Sequence, residues 1–242
     1  YESLRYEGKI LSVTVKRIAD EWFAVVNVDI NIKENQFNIN KNLVVLGVDF
    51  GIKDIAICSN GKIYSNPKHY KMQLKKLKKE QRVLSKRFVK NVKEQSKNYE
   101  KQKLKVAKIH AKIANLRKNT LHQISSDILK HTDVIVLEDL NVSGMVKNHK
   151  LAQAILDVGM YELRRQLEYK ANFLGKKIIY VDTFYPSSKT CSCCGNVKKE
   201  LKLSERIYNC EACFHVQDRD LNAADNLRNY GISELEKTSH KA

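Results

Sequence analysis

Two cysteine pairs set the tightest constraint on what this chain can fold into. Cys191 and Cys194 are separated by two residues, Cys210 and Cys213 likewise, and 15 residues lie between the pairs. A CxxC turn presents two sulfurs to one side, so two such turns facing each other enclose a tetrahedral cation and leave it no open position. The spacing is that of a four-cysteine zinc ribbon rather than of a disulfide framework. Zinc is therefore expected at Cys191, Cys194, Cys210 and Cys213, in a structural role. Cys193 sits inside the first turn with no counterpart at the same spacing and is expected to stay unligated. Cys58 lies alone in an apolar run and reads as a core residue. His215, beside the ribbon, is expected on the surface.

Charge points to a partner. The formal net charge is +17, and 19 Lys and Arg against 3 acidic residues fall between Lys68 and Lys118, with 25 against 24 in the rest of the chain. So local an excess calls for a polyanion, nucleic acid before membrane. No run of 18 apolar residues occurs, so no membrane span is expected. Within the basic segment Leu74, Leu77, Leu84 and Phe88 repeat at helical spacing, as do Val106, Ile109, Ile113 and Leu116. Two helices with a polar break near Asn91–Asn98 are predicted to pack as an antiparallel hairpin, the second running on through Leu121, Ile124 and Ile128. Lys75, Lys76, Lys79, Arg82, Lys86 and Arg87 are expected to form a phosphate-tracking surface. Lys189, Lys198, Lys199, Lys202 and Arg206 offer further cations on the ribbon.

The remaining pattern is that of an α/β layer fold. Residues 9–17 and 22–30 alternate apolar and polar around Asp20-Glu21, which predicts a β-hairpin, and Asn35 to Asn42 reads as a polar linker. The apolar run Leu43 to Val48 stops at Asp49. Ile55–Cys58 and Ile63–Ser65 follow, joined by Ser59-Asn60-Gly61, so three strands in a meander are expected. Val134–Leu137 is a buried strand ending at Glu138, residues 151–174 a helix closed by Gly175, and Ile178–Val181 a further strand. The last helix is expected from Arg219 to about Asn229.

Three carboxylates stand at element ends. Asp49 ends the first of these strands, Glu138 ends the fourth, and Asp220 opens the final helix. Sites in α/β sheets gather at the carboxyl ends of strands, and converging carboxylates need cations to offset their repulsion. An all-oxygen donor set suits Mg²⁺ or Mn²⁺. Two such ions roughly 4 Å apart can activate water and stabilise the leaving oxygen in phosphodiester hydrolysis. Asp218, two residues before Asp220, is placed to cap the helix, while Asp220 falls on the flank of Ala224 and Leu227, near the buried stripe.

The segments Gly47-Val48-Asp49-Phe50-Gly51-Ile52-Lys53, Ile135 to Asn141 and Asp218-Arg219-Asp220-Leu221-Asn222-Ala223-Ala224 resemble the three RuvC motifs of the TnpB family, transposon-encoded nucleases related to type V CRISPR effectors. The resemblance covers roughly Leu43 to Tyr230. It implies an RNase H-like (RuvC) mixed sheet with flanking helices, a long basic helical hairpin and an inserted zinc ribbon. It implies metal-dependent cutting of DNA directed by a guide RNA, with Asp49, Glu138 and Asp220 as the catalytic metal-binding positions, Mg²⁺ as the catalytic ion, and guide RNA and target DNA as partners in the cytoplasm at the nucleoid. The family usually has glycine after the second cysteine pair, where this chain has Phe214, a departure that bears on the turn there. By the same likeness residues 1–40 are the remnant of a wedge domain, 41–185 and 218–242 the two parts of the nuclease domain, and 186–217 the ribbon. The opening Tyr1-Glu2-Ser3-Leu4-Arg5 is neither initiator nor signal peptide, and the chain is expected to be the C-terminal fragment of a longer protein. Two other readings of the acid set are a catalytically silent nucleic-acid-binding repressor and an RNase H-like strand-transfer transposase.

Overall fold

The computed structural model describes residues 7–30, 37, 42–202 and 204–239. The opening residues, and most of the expected linker at Asn35 to Asn42, lie outside them. The chain divides into two compact units, one made of the residues up to Glu34 with Lys68–Asn119, the other of Asn35–Pro67 with Thr120–Ala242.

In the first unit, β1 (Lys9–Ile18) and β2 (Glu21–Asp29) form the expected antiparallel hairpin, closed at Ile18↔Glu21. The turn is therefore Ala19-Asp20, one residue earlier than the sequence suggested, and Ala19 takes φ 56° there, the left-handed geometry that two-residue hairpins favour. The basic segment forms α1 (His69–Arg87) and α2 (Lys97–Lys130). Ser96 Oγ accepts the Tyr99 amide at 3.2 Å and starts α2, as an N-cap serine does. Leu77 buries against Val106, Ile109 and Ile113, with Tyr70 and Leu84 beside them. Glu80 meets Gln102 and Arg87 meets the Asn98 carbonyl. Position numbers thus rise along one helix as they fall along the other, so the pair is antiparallel as expected. Phe88, assigned to the apolar stripe, is instead 55% exposed. The chain there has turned extended, and its ring rests near Tyr99 at 5.9 Å.

The second unit is a five-stranded mixed sheet of β3 (Val45–Phe50), β4 (Asp54–Cys58), β5 (Ile63–Ser65), β6 (Val134–Glu138) and β7 (Lys177–Val181), in the order β5-β4-β3-β6-β7. The first three pair antiparallel as the predicted meander, and β6 and β7 join parallel to β3. This is the RNase H-like arrangement that the motif resemblance implied. The interior strand β6 is buried on both faces, with Val134 through Leu137 fully covered, as its unbroken apolar run requires.

Alternation along the strands sorts the two faces. Leu46, Val48, Ile135 and Leu137 point into one core with Leu121, Ile124 and Ile128 from the end of α2, and with Ile155, Val158, Leu163 and Leu167. Val136 and Val181 point the other way and meet Leu227 of α6 (Arg219–Ser239). The expected single helix over 151–174 is two pieces in fact, α4 (His149–Val158) and α5 (Met160–Phe173), and a short α3 (Val142–Val146) precedes them. Asn141 and Asn148 accept amides at the starts of α3 and α4. Gly159, at φ 74°, breaks the helix between α4 and α5. That left-handed residue turns the chain so that Val158 and Met160 both bury in the same core. The final helix continues well beyond Asn229, held by the burial of Leu235.

α6 lies against β3 at closest range where β3 has no side chain. A methyl group added to Gly47 would fall on the Ala224 carbonyl oxygen and within 2.5 Å of the Arg228 amide nitrogen. The ribbon precedes α6 and contains β8 (Ile207–Asn209) and β9 (Val216–Asp218), paired antiparallel about a buried Tyr208. Its two cysteine turns take the same handedness, through Gly195 at φ 75° and Phe214 at φ 60°. No helix of the described residues is long and apolar enough to cross a membrane.

Two outcomes follow from this packing. Gly47→Ala must push α6 off the sheet and is expected to cost at least about 1–3 kcal/mol, read as a lower urea midpoint. Phe214→Gly removes the Cβ conflict of a left-handed residue and is expected to stabilise the ribbon by about 1 kcal/mol, read as slower amide hydrogen exchange over residues 204–218.

Candidate functional site

The register of the sheet decides where the acids go. Gly47 pairs with Val136 and Val48 with Leu137 across the parallel β3–β6 ladder, so Asp49 and Glu138 come next, side by side at the carboxyl ends of both strands. Alternation puts Asp49 on the face of Gly47 and Glu138 on the face of Val136, which is the face α6 covers. Asp220 stands in the first turn of that helix.

The three acids feel one another. The Asp49 carboxyl is raised well above the ordinary carboxylate range, first by loss of hydration on burial, then by the negative charges of Glu138 and Asp220. Asp218 adds to the rise and Arg219 opposes it. Glu138 accepts a hydrogen bond from Ser187 Oγ. Arg206 approaches Asp220 at 3.9 Å. Asp218 behaves as the cap expected from the sequence, its Oδ1 accepting the amides of Asp220 at 2.9 Å and Leu221 at 3.2 Å. The Asp220 carboxylate is thereby spared the capping role. Among the described residues the four ribbon cysteines are the only group of three or more metal-type ligands drawn within 4.8 Å of one another.

The cysteines converge as expected. Cys191 Sγ lies 3.6 Å from Cys213 Sγ, and Cys194 Sγ lies 3.6 Å from Cys210 Sγ. Four sulfurs at the corners of a tetrahedron of metal–sulfur length near 2.3 Å would stand about 3.8 Å apart, so the cage has the size of a thiolate metal site. Cys193 is exposed and outside the cluster.

The basic residues divide by helix phase. At about 100° per residue, Lys75, Lys79, Arg82 and Lys86 lie within about 60° of one another on α1, opposite the buried stripe of Leu77 and Leu84. Lys76 and Arg87 lie on the flank. All six are exposed, but Arg87 already donates to the Asn98 carbonyl at 3.0 Å. On the ribbon, Lys198 is also engaged, 13% exposed, 3.6 Å from Glu211 and stacked over the Tyr208 ring at 5.4 Å. His215 is half-buried and pairs through Nε2 with Gln217 Oε1 at 3.1 Å.

Sequence reasoning missed the polar residues beneath the site. Asn222 and Asn226, buried on α6, donate to the carbonyls of Thr190 and Ser187. Leu221 is half-buried beside them. The available signal was their i, i+4 spacing within the phase of the buried stripe, which marks two amides that need partners. Ser187 carried no signal of its own.

Comparison with known proteins agrees with this architecture. The model of the OrfB_IS605 family, described as "Probable transposase", matches residues 26–149, and that of the Cas12f1-like TNB domain matches residues 161–227. A Streptomyces pristinaespiralis protein named for an RNA-guided DNA endonuclease is 38% identical over 188 residues, 78% of this chain and 45% of its own length. The Escherichia coli K12 protein InsQ, named likewise, is 30% identical over 248 residues, 96% of this chain and 60% of its own. The chain thus spans about half the length of the curated relatives it matches. A Cas12f1–sgRNA–target DNA complex determined by cryo-EM shares the fold at a TM-score of 0.55 and 19% identity, over 90% of this chain and 55% of that one. With the first family model running through more than half of its residues, from the second strand of the hairpin past Glu138, the chain belongs to the OrfB_IS605 family.

Proposed function

We propose that this chain is the nuclease portion of a TnpB-type, RNA-guided DNA endonuclease, and that Asp49, Glu138 and Asp220 hold the divalent cations at which a phosphodiester bond is hydrolysed. The observation that supports this most is the placing of three acids from three separate elements on one face of the sheet, with Glu138 and Asp220 both raising the electrostatic cost of Asp49 ionising. An acid set assembled against its own repulsion has a reason when cations complete it. Mg²⁺ bound there would supply an activated water and charge stabilisation for the leaving oxygen. The chain's part is to fix the acids. The parallel ladder sets Asp49 beside Glu138, the α6 contact at Gly47 brings Asp220, and Asp218 takes the capping duty that would otherwise compete for Asp220.

The ribbon cysteines are read as a structural zinc site, since four thiolates leave no coordination position for substrate. The stripe of Lys75, Lys79, Arg82 and Lys86 is read as a phosphate-tracking surface for the guide RNA or its duplex with target DNA. Sequence choice in such systems resides in base pairing, and the protein holds the duplex by its backbone. The relatives' names and the complex in which the Cas12f1 fold was solved support these partners.

Cleavage of labelled DNA by the full-length protein with its guide, with and without Mg²⁺, tests the central reading. Hydrolysed ends that need Mg²⁺ support it, whereas joined products would favour strand transfer and binding without cutting a repressor. Asp220→Ala is expected to abolish cleavage with DNA binding retained. Asp218→Ala is expected to cost roughly 1 kcal/mol of helix stability and to leave activity. Metal analysis should find one zinc per chain, reduced in Cys210→Ser and unchanged in Cys193→Ser. Charge reversal of Lys75, Lys79, Arg82 and Lys86 together should flatten the dependence of log K on log salt by up to about 0.9 for each phosphate no longer neutralised. Reversal of Lys76 and Arg87 should flatten it less.

A further inference from the structure

We infer that Ser187, at the root of the ribbon, is a positioning residue for Glu138, its backbone held by two buried amides of α6. The inference rests on the reading of Glu138 as a cation ligand.

Ser187 lies between β7 and the first cysteine turn and is 5% exposed. Its backbone is fixed from several sides. The carbonyl accepts Asn226 Nδ2 at 2.8 Å, and its amide donates to the Tyr185 carbonyl at 2.8 Å. Three residues on, the Thr190 carbonyl accepts both Asn226 Nδ2 at 2.6 Å and Asn222 Nδ2 at 2.7 Å. Asn222 Oδ1 then accepts the Ser192 amide at 3.0 Å, inside the Cys191–Cys194 turn. Two buried amides of α6 therefore grip the peptide from Ser187 to Ser192.

This grip uses only backbone groups of Ser187. Its hydroxyl is not needed to anchor the ribbon, and it donates to Glu138 Oε1 instead. A glutamate at a strand end has three side-chain torsions to fix, and a donor on immobile backbone removes much of that freedom before a cation arrives. One oxygen is held and Oε2 keeps its lone pairs. Partners of this kind around a ligating carboxylate change metal affinity by about 10–100-fold when removed. An anchoring role and a positioning role therefore separate cleanly: the first belongs to the Ser187 carbonyl, the second to its Oγ.

The test uses the full-length protein with its guide RNA and Mn²⁺ as the probe ion, counted by the electron paramagnetic resonance of free Mn²⁺. Wild type, Ser187→Ala, Ser187→Thr and Glu138→Gln are compared for Mn²⁺ affinity, zinc content, melting temperature and the Mn²⁺ concentration giving half-maximal cleavage. Ser187→Ala is expected to weaken Mn²⁺ binding about 10-fold and to raise the half-maximal concentration in step, with zinc, melting temperature and DNA binding close to wild type. Ser187→Thr, which keeps the hydroxyl, is expected to restore most of the affinity. Wild-type Mn²⁺ affinity in Ser187→Ala would overturn the inference, and so would a loss of zinc together with a collapse in melting temperature, which would make the hydroxyl structural. If Glu138→Gln also binds Mn²⁺ as wild type does, the reading of the cleft itself falls and takes the inference with it.

Discussion

The second unit depends on one backbone-to-backbone approach, that of α6 to β3 at Gly47. Packing a helix on a sheet normally spaces the two by their side chains. Here the carbonyl of Ala224 and the amide of Arg228 occupy the place of a side chain. Close seating brings the first turn of α6 to the strand ends, carrying Asp220 to Asp49 and Glu138. It also turns Asn222 and Asn226 toward the peptide that leads into the ribbon. One close approach thus sets the third acid, the position of the cysteine lobe and, through Ser187, the rotation of the second acid. The apolar packing of Leu227 on Val136 and Val181 supplies the attraction, and Gly47 sets how near that attraction can draw the helix.

Electrostatics oppose this assembly. Burial and two neighbouring negative charges hold the Asp49 carboxyl above its ordinary range, so the native fold carries an acid set it would be better without, absent a cation. Proteins tend to break the rules of stable packing at sites that perform chemistry. Phe214 is a second departure, a left-handed residue with a side chain that is 83% exposed, and nothing in the fold explains the preference for phenylalanine there.

Features whose cause is local were legible in the sequence. The cysteine turns, the meander with its Ser59-Asn60-Gly61 turn and the strands at Val134–Leu137 and Ile178–Val181 follow from spacing and apolar runs, and the acids at strand ends follow from where those runs stop. The capping role of Asp218 followed from helix phase. The misreadings have the opposite character. Gly159 breaks a helix because the core needs Val158 and Met160 on one side of a bend, and no pattern within 151–174 announces that need. Phe88 fits the apolar repeat of α1 yet falls beyond its last turn. The engagement of Arg87 and Lys198 depends on partners from other elements. Ser187 is the extreme case: its meaning lies in a strand end and a helix that are both distant in sequence, so it could not be found without the fold.

The order in which these parts occur along the chain has a kinetic consequence. The sheet and the helices on its first face are complete by the end of β7, while α6, which covers the second face, comes last in the second unit. Until it docks, Val136, Val181 and the bare backbone at Gly47 face water, and the docking that covers them closes a very long loop. Long-range closures of this sort slow folding, and intermediates with uncovered apolar sheet are prone to associate. The second unit should therefore reach its native state late and all at once, with the acid cluster and the covered sheet appearing in the same step.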